Sequence, residues 1–383
     1  MAITKAVVIG LGFVGPAHVE ALRRLGIPIA GIVHSTPERG RAKANTLNIE
    51  RVYDSYTDAL ADPDVGVVHI CTPNQYHYPI ARDALAAGKH VVCEKPMAMS
   101  TGEADELVRL AAGSGRIAAI TFNQRYYPLL QEMRVRVQRG DLGEIYAVQG
   151  GYLQDWLLED TDWNWRLEPE AGGELRVVGD VGSHWLDLAK FVSGKSIESV
   201  LADMATFIPI RKKPLQPRET FAGKSSNPQD YEERTMTTED YASALIRFEG
   251  GTRGVMSLSQ VSAGRKNRLS LEVYGSRSSL AWNVEEPNEL WVGHRDEPNE
   301  VLLKSPNLLS DEARKMADYP GGHAEGYPDT FKQLFRNVYA AIDGDSTARY
   351  PTFQDGAYAQ HVCDAIAVSA KERRWVDVGV GEA

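Results

Sequence analysis

The chain has 383 residues, of which 43% are hydrophobic and 25% are charged, a composition typical of a globular protein long enough for two domains. Its 52 acidic residues outnumber its 42 basic residues, which gives a formal net charge of −10. This balance argues against nucleic acid or an anionic membrane as the main partner, because both bind basic surfaces.

Cysteine content and hydropathy exclude further classes of protein and of site. The three cysteines, Cys71, Cys93 and Cys363, are too few and too scattered for a disulfide framework or a zinc site, and no metal site is expected. The first predicted strand begins by Ala6, which leaves no room for a signal peptide, and no apolar run approaches membrane-spanning length. We therefore expect a cytoplasmic protein.

A glycine motif near the start of the chain is the first strong signal. An apolar run leads into G-x-G-x-x-G, and residues with helical spacing follow. In such a unit the first glycine permits a tight turn, the second lets the backbone approach a pyrophosphate and the third allows close packing, while the helix N-terminus favours negative charge. The pattern predicts that a dinucleotide binds at Gly10, Gly12, Phe13, Val14 and Gly15.

The end of the second predicted strand, residues 27–33, bears on the choice of cofactor. Folds that prefer NAD place an acidic residue here to hold the ribose 2′-hydroxyl. This chain instead has His34, Ser35 and Thr36, with Arg39 a turn later. These side chains could bind a 2′-phosphate, so the cofactor is NAD or NADP with a slight preference for NADP. The alternative is that Arg39 is a solvated helix residue.

The first 122 residues alternate between apolar strands and helices. Further strands are predicted at residues 65–71, 90–93 and 117–122, with helices at 76–87 and 100–113. This rhythm predicts an α/β fold with a doubly wound parallel sheet, an NAD(P)-binding Rossmann domain over residues 1–122. Ligands of such sheets bind beyond the carboxyl ends of the strands. The polar residues at those ends are Thr72, Asn74, Glu94, Lys95 and Asn123.

Residues 123–383 have a different pattern, which predicts an α+β domain for substrate binding and oligomerisation. Strands of alternating polarity, typical of a largely antiparallel open sheet, are predicted at residues 145–152, 200–207, 241–248, 252–261, 269–274 and 278–282. Helices are predicted at residues 129–139, 327–342 and about 353–374. Residues 209–238, rich in proline, serine and basic residues, are predicted to form a long loop.

A second site-like stretch contains Asp180 and His184. Residues four apart share one face of a helix, so a carboxylate there could support an imidazolium. Histidine exchanges protons near neutral pH because of its intrinsic pKa. The spacing alone leaves two interpretations open: an acid–base pair, or a helix cap at Asp180 with a core histidine at His184.

Three motifs together resemble one family: the N-terminal glycines, E-K-P at residues 94–96 and D-x-G-x-H at residues 180–184. The chain resembles the glucose–fructose oxidoreductase / inositol dehydrogenase / MocA (Gfo/Idh/MocA) family of sugar and polyol oxidoreductases over nearly its whole length. The resemblance implies that Lys95 stabilises the reacting oxygen, that His184 takes the hydroxyl proton and that Asp180 orients and supports His184. A hydride then passes to the nicotinamide, and no metal is required.

The same resemblance implies further ligand contacts. The loop at residues 72–77 is similar to the family's loop beside the cofactor ribose, and the motif at residues 320–327 to a subgroup that oxidises free or glycosidic sugars. Beyond the glycine motif and the residues after the second strand, the cofactor would contact Thr72, Pro73, Asn74, His77, Glu94, Lys95 and Gln124. The substrate would contact Lys95, Arg125, Tyr126, Trp163, Trp165, Arg166, Asp180, His184 and His323.

Aromatic residues before the predicted catalytic helix indicate the kind of substrate. Trp156, Trp163 and Trp165 lie close in sequence to Asn164 and Arg166. Sugar rings pack their apolar faces on aromatic side chains, and their hydroxyls bond to polar ones. A pocket rim and a buried core cluster account for this density equally well.

We predict an NAD(P)-dependent dehydrogenase that oxidises a secondary hydroxyl of a pyranose sugar, glycoside or anhydrosugar, with C3 implied by the subgroup. The alternatives are an NAD-dependent redox-neutral glycosidase, a non-catalytic cofactor-sensing regulator and an NADPH-dependent carbonyl reductase. The regulator is disfavoured because Lys95, Asp180 and His184 are all present. We expect a homodimer or homotetramer that binds a small-molecule sugar and neither nucleic acid nor membrane.

Overall fold

The computed structural model describes residues 4–215 and 231–379. Its first sheet is parallel throughout, with the strand order β2-β1-β3-β4-β5. The strands are β1 (Lys5–Ile9), β2 (Ile29–Val33), β3 (Val65–Ile70), β4 (His90–Cys93) and β5 (Ala118–Ile120). The central strands β1 and β3 are nearly continuous apolar runs, as expected of a parallel sheet that is covered on both faces. This sheet confirms the predicted α/β fold.

Five helices connect these strands: α1 (Val14–Arg24), α2 (Pro37–Leu47), α3 (Tyr56–Ala61), α4 (His77–Ala86) and α5 (Thr101–Ser114). Successive residues of β1 pack on opposite faces of the sheet, Val7 in one hydrophobic cluster with Leu85 of α4 and Val8 in another with Leu22 of α1. Serine or threonine at a helix N-cap supplies the acceptor that the first turn needs, as Ser100 does for α5.

The second sheet has nine strands in the order β15-β14-β13-β12-β6-β11-β10-β7-β16, all antiparallel except the pair β6 and β11. The remaining elements, in chain order, are α6 (Pro128–Gln138), β6 (Ile145–Leu153), α7 (Pro169–Gly172), α8 (Ser183–Ser193), β7 (Ile197–Ala205), β8 (Ile210–Pro214), β9 (Tyr231–Thr235), β10 (Tyr241–Phe248), β11 (Arg253–Ser259), β12 (Arg268–Gly275), β13 (Ser279–Asn283), β14 (Glu289–Gly293), β15 (Glu300–Leu303), α9 (Asp311–Arg314), α10 (Tyr327–Ile342), α11 (Phe353–Glu372) and β16 (Val376–Asp377). The predicted, largely antiparallel open sheet is thereby confirmed.

The prediction of an unbroken loop over residues 209–238 is wrong at both ends, where β8 and β9 pair as an antiparallel hairpin. Both strands are too polar for hydrophobic periodicity to reveal them. Lys212 and Lys213 of β8 instead form ion pairs with Asp160 and Glu168, outside the hairpin. Residues 216–230 lie outside the described part of the chain.

The end of the chain packs against both sheets. Helix α11 contributes Val362 and Ile366 to the core under the second sheet, whereas Phe353 at its start belongs to a core of the first sheet. Helix α10 adds Phe335 and Val338 to the other core of the first sheet. The domain division at residues 122 and 123 stays a prediction. Among the helices that the structure describes, none has the length and hydropathy needed to cross a bilayer.

Glycine at position 150 is required for packing inside the second sheet. Its φ of +149° lies where other residues are strained, and a Cβ there would come within 2.1 Å of the Ser270 carbonyl and 3.0 Å of the Trp185 indole nitrogen. We expect Gly150→Ala to lower the free energy of unfolding by about 3 kcal/mol, because overpacked cores lose amounts of this order. Urea denaturation measures this change.

The matched control is Gly113→Ala, because Gly113 lies inside α5 and nothing lies within 4 Å of the added Cβ. The control should leave stability unchanged or raise it by up to about 1 kcal/mol, since alanine favours a helix. Equal stability of the two variants would contradict the close packing of Gly150 against Trp185.

Candidate functional site

The glycine turn after β1 has the geometry that a dinucleotide pyrophosphate needs. Gly10 has a φ of +94°, and a Cβ there would lie 2.6 Å from the Cys71 carbonyl oxygen. A Cβ on Gly15 would lie 2.2 Å from the Gly10 carbonyl, so the helix can approach the turn only because both residues are glycines. Nothing lies within 4 Å of the corresponding position on Gly12, which leaves room for a phosphate group.

The residues after β2 make local contacts in this structure. The Thr36 hydroxyl accepts a hydrogen bond from the Arg39 backbone and so caps α2, while the Ser35 backbone donates to His34 Nδ1. The side chain of Arg39 is exposed at the surface. No carboxylate occupies residues 34–36, as the sequence showed, and the preference for NADP stays a prediction.

The loop between β3 and α4 joins the two sheets beside this turn. Asn74 Nδ2 donates to the Gly172 carbonyl at 2.8 Å, and His77 lies with one ring nitrogen 2.8 Å from the Thr72 carbonyl and the other 2.7 Å from that of Pro96. His77 thus ties this loop to the E-K-P segment. Asn74 and His77, predicted to contact the cofactor directly, are held in protein contacts.

Asp180 is the centre of a charged cluster that contains Lys95. Lys95 Nζ donates to Asp180 Oδ1 and to the Asp180 carbonyl, both at 2.8 Å, and Arg166 Nε donates to the same Oδ1 at 3.0 Å. Gln260 Nε2 donates to Oδ2 at 2.8 Å. Burial alone would raise the pKa of Asp180, but the charges and hydrogen bonds of Arg166 and Lys95 outweigh burial and hold that pKa below its ordinary value.

His184 is buried beside this cluster between the rings of Phe122 and Tyr152. Burial lowers the pKa of His184 well below its ordinary value and the Lys95 cation lowers it further, whereas the Asp180 charge opposes both. The imidazole is therefore neutral at neutral pH and able to accept a proton. Asp180 acts on His184 through its charge, because its carboxylate oxygens bond to Lys95, Arg166 and Gln260 in the part of the chain described.

A wide helical turn presents Asp180 and His184 together. Residues Val178–Gly182 form a π-helix that leads into α8, and such turns occur often at functional sites. The buried carboxylate of Glu239 accepts from the backbone of Arg176 and Val178 at the start of this segment. The second interpretation, in which Asp180 is a helix cap, does not hold, since its side chain bonds to no backbone amide of this helix among the residues described.

Arg125 and Tyr126, predicted to contact substrate, are engaged elsewhere. The buried guanidinium of Arg125 forms ion pairs with Asp187 and Asp355, and the Tyr126 hydroxyl donates to the Arg349 carbonyl at 3.0 Å. These contacts fasten the segment after β5 to α8 and α11. The structure therefore gives both residues a structural position, because a charge paired with the buried Asp187 and the partly buried Asp355 is costly to release.

The other predicted substrate residues divide into two groups. Trp163 donates to Glu168 at 3.2 Å, and the Arg166 guanidinium lies 4.4 Å above the Trp165 ring while its Nε bonds to Asp180 in the cluster. All three side chains are half-buried, as a pocket rim would be. His323 lies in an exposed loop, where its ring faces a carbonyl two residues before it.

Sequence reasoning missed a polar wall on the second sheet. The Tyr152 hydroxyl donates to Asn267 Oδ1 at 2.6 Å and Gln154 Nε2 donates to the same oxygen at 2.9 Å, while Gln260 reaches Asp180. These residues lie where β6 and β11 end and β12 begins, and the register of the three strands places these ends side by side. The sequence did contain a signal for this wall, because a polar residue follows each apolar strand.

Several buried polar atoms around the cluster have no hydrogen-bond partner within residues 4–215 and 231–379. Buried polar groups are almost always satisfied, so such atoms in a cleft are available to a polar ligand. The atoms are Thr72 Oγ1, Gln124 Oε1, His184 Nδ1 and Gln260 Oε1. Together with the open space at Gly12, these unpartnered atoms fit a nicotinamide dinucleotide and a hydroxylated substrate.

Comparison with protein families decides the classification. The family model GFO_IDH_MocA, an oxidoreductase family with an NAD-binding Rossmann fold, matches residues 4–122, and the GFO/IDH/MocA C-terminal domain matches residues 130–281. This chain belongs to the GFO/IDH/MocA family. It is therefore an oxidoreductase with an NAD-binding fold, and the family predicted from the three motifs is confirmed.

Individual family members are similar over their full length. Levoglucosan dehydrogenase of Pseudarthrobacter phenanthrenivorans is 28% identical over 386 residues, which cover 97% of each chain. A structure of levoglucosan dehydrogenase with NADH and L-sorbose has a TM-score of 0.88 at 27% identity and covers 99% of each chain. An oxidoreductase domain protein from Kribbella flavida has a TM-score of 0.88 at 30% identity, covering 99% of this chain and 100% of the other.

The electrostatics of His184 predict a measurable titration. Because burial and the Lys95 cation both disfavour the imidazolium, the His184 ring should titrate below pH 6.5, its ordinary pKa. Lys95→Met removes a repelling cation, so the pKa of His184 should rise in that variant. Nuclear magnetic resonance of histidine-labelled protein follows the ring directly and needs no substrate.

The control is Arg41→Met, since Arg41 is an exposed cation of α2 paired with Glu38. This substitution should leave the His184 titration unchanged. A His184 ring that titrates at or above pH 6.5 in the unsubstituted protein, or that is insensitive to Lys95→Met, would contradict the described cluster.

Proposed function

We propose that this protein is an NAD-dependent dehydrogenase that oxidises a secondary hydroxyl, at C3, of a pyranose sugar, glycoside or anhydrosugar. One observation carries the proposal: Lys95, Asp180 and a neutral, buried His184 lie together beside the glycine turn. When bound, the nicotinamide would supply hydride-accepting chemistry, and the protein would supply the proton transfer and the electrostatic support.

Lys95 is suited to stabilise the substrate oxygen as it loses its proton. An ammonium group has three N–H donors. Two of them bond to Asp180, and no hydrogen bond among the described residues uses the third. A donor that is fixed in place before the reaction stabilises developing negative charge without reorganisation. Asp180, in this proposal, holds the Lys95 ammonium in position.

His184 is suited to take the hydroxyl proton. Its neutral ring accepts a proton and its buried Nδ1 has no partner within the described part of the chain. The Asp180 charge lies close enough to favour the imidazolium once the proton has arrived. General-base assistance of this kind accelerates a reaction by about 10²–10⁴-fold.

The walls of the cleft support a sugar as the substrate. Half-buried Trp163 and Trp165 offer apolar ring faces, and half-buried Gln154 and Asn267 offer amide groups at the strand ends. Pyranose rings combine an apolar face with several hydroxyls, which this mixture suits. The similarity to levoglucosan dehydrogenase, an enzyme named for an anhydrosugar, favours the same substrate class.

NAD is the cofactor favoured by the family's Rossmann model and by the NADH complexes of levoglucosan dehydrogenase. The predicted slight preference for NADP rests on His34, Ser35, Thr36 and Arg39 alone, and the assay below compares both cofactors. A cytoplasmic location stays a prediction.

The decisive test is the formation of reduced nicotinamide with NAD+ or NADP+ on a panel of pyranoses, methyl and aryl glycosides, anhydrosugars and inositols. We expect turnover with one sugar class, and a fall of about 10²–10⁴-fold in kcat for His184→Ala because its base is lost. Lys95→Ala should lower kcat comparably, since it removes a group that acts mainly in the transition state. Structure determination of the oxidised product identifies the reacting carbon.

A matched histidine control is His361→Ala, because His361 lies on α11 and pairs with Asp105 of α5. This variant should keep the turnover of the unsubstituted enzyme. Undiminished turnover in His184→Ala would refute the assigned base. Release of free sugar from aryl glycosides without net reduced nicotinamide would replace the dehydrogenase with the redox-neutral glycosidase.

We further propose that the protein assembles as a homodimer or homotetramer through the outer face of the second sheet. This face exposes Leu245 and its cross-strand partner Val255, with Tyr146 and Trp291 on other strands. Exposed apolar side chains clustered on one sheet face commonly mark an interface. Light scattering should give two or four times the chain mass of 42.2 kDa.

Leu245→Lys should lower that mass because it places a charge in the interface. The control Leu308→Lys, at an exposed leucine outside the sheet, should not. A mass of 42.2 kDa for the unsubstituted protein would contradict the assembly.

A further inference from the structure

Four buried polar side chains form a continuous hydrogen-bond chain behind the E-K-P segment. His18 Nε2 lies 3.1 Å from Glu94 Oε1, and His18 Nδ1 lies 3.0 Å from His69 Nδ1. The other nitrogen of His69, Nε2, lies 3.1 Å from the Tyr339 hydroxyl. These residues come from α1, β3 and α10 and from the end of β4, so the chain links elements that are distant in sequence.

The hydrogen-bonding capacity of each group fixes the direction of this chain. An ionised carboxylate only accepts, so His18 donates to Glu94 from Nε2. The Nδ1 of a neutral His18 then accepts from His69 Nδ1, which leaves His69 Nε2 as the acceptor for the Tyr339 hydroxyl. Burial lowers the pKa of His69 well below its ordinary value, so His69 is neutral as the chain requires.

The opposite direction leaves a group unsatisfied. A protonated Glu94 would donate to His18, and each later proton would point towards Tyr339. The phenol hydrogen of Tyr339 would then need another acceptor, but within residues 4–215 and 231–379 His69 is its one hydrogen-bond partner. Burial also raises the pKa of Tyr339 well above its ordinary value, so the phenol keeps its proton and donates.

We propose that His18, His69 and Tyr339 are positioning residues that hold the Glu94 carboxylate in a single orientation for the nicotinamide cofactor. This inference rests on the proposed function and on the expectation, implied by the family resemblance, that Glu94 contacts the cofactor. Glu94 Oε1 accepts from His18 while Oε2 lies 3.3 Å from the Lys95 backbone nitrogen, so the same chain also restrains the peptide that presents Lys95.

Rigid packing supports a positioning role. The ring of Phe335, on α10, lies 4.7 Å from that of His18 and 4.8 Å from that of His69, and both histidines are fully buried. The histidine rings meet edge to face with centroids 5.2 Å apart. Closely packed rings keep one rotamer, so the donor facing Glu94 cannot turn away.

The test compares NADH binding, followed by nicotinamide fluorescence, in a double-mutant cycle. His18→Leu removes the donor to Glu94 and should weaken NADH binding about tenfold, since bonds to charged groups are worth this much or more. His18→Gln can present an amide N–H to Glu94 and should recover most of the loss. In a Glu94→Ala background, His18→Leu should change NADH binding by less than twofold, because the proposed effect passes through Glu94.

Two further variants separate the hydrogen bonds from packing. Tyr339→Phe removes the hydroxyl that donates at the far end of the chain. The hydrogen bonds of His69 and His18 are then no longer fixed in one direction, so NADH binding should weaken about threefold. Phe335→Leu disturbs the packing around both histidines but removes no hydrogen bond, so it should lower the melting temperature and leave NADH binding unchanged.

The outcomes distinguish this inference from the proposed function. NADH binding that is equal in His18→Leu and the unsubstituted protein, or a His18→Leu effect that persists in Glu94→Ala, overturns the positioning role. If the unsubstituted protein binds no NADH, the proposed function fails, and the same cycle read by thermal unfolding still decides whether His18 and Glu94 are coupled. Additive melting-temperature shifts would then overturn the hydrogen-bond chain.

Discussion

The ion pair between Lys95 and Asp180 is the interaction on which the site depends, because each residue belongs to a different part of the fold. Lys95 follows the fourth strand of the parallel sheet, and Asp180 lies in the π-helix that precedes α8. A buried carboxylate is stable only when its charge is compensated. Arg166 and Gln260 complete this compensation, so the loop before α7 and the end of β11 meet at the same two oxygens.

In this arrangement Asp180 contacts Lys95 directly, whereas its support of His184 is electrostatic. Asp180 was expected to orient His184, yet its oxygens bond to Lys95, Arg166 and Gln260, and it reaches His184 by charge. The ammonium is thereby fixed in position, while the imidazole is kept neutral by burial. A fixed cation and a neutral base side by side suit the loss of a proton from a hydroxyl whose oxygen becomes negative.

Sequence alone predicted the parts of this site that depend on local patterns. The glycine turn is recognisable because the steric contacts that require Gly10 and Gly15 lie within one stretch of six residues. Long-range partners could not be predicted in this way: nothing in the sequence near Arg125 indicates Asp355, and nothing near Asn74 indicates the Gly172 carbonyl. Those pairings exist because α7 and α11 pack against the segments that follow β3 and β5, which is a property of the tertiary fold.

The β8–β9 hairpin shows a second limit of pattern reading. Hydrophobic periodicity predicts strands that bury one face, whereas these polar strands are held by ion pairs and hydrogen bonds to the segment between β6 and α7. Arg211 in β8 is fully buried and bonds to Asp240 and to the Leu157 carbonyl. A run of basic residues that resembled a solvated loop therefore contains one arginine that fastens the hairpin to the rim of the cleft.

The C-terminal helices also make long-range contacts, on the cofactor side of the site. Residue 339 lies 270 positions after residue 69, yet the Tyr339 hydroxyl bonds to the His69 ring in the centre of the parallel sheet. The first 122 residues hold the glycine turn, but the side chains that pack behind Glu94 include Phe335 and Tyr339 of α10. An isolated N-terminal segment would leave His69 facing water or a cavity at that point. The geometry of the cofactor side is consequently a property of the whole chain, because the last helices supply the donor that ends its buried hydrogen-bond chain.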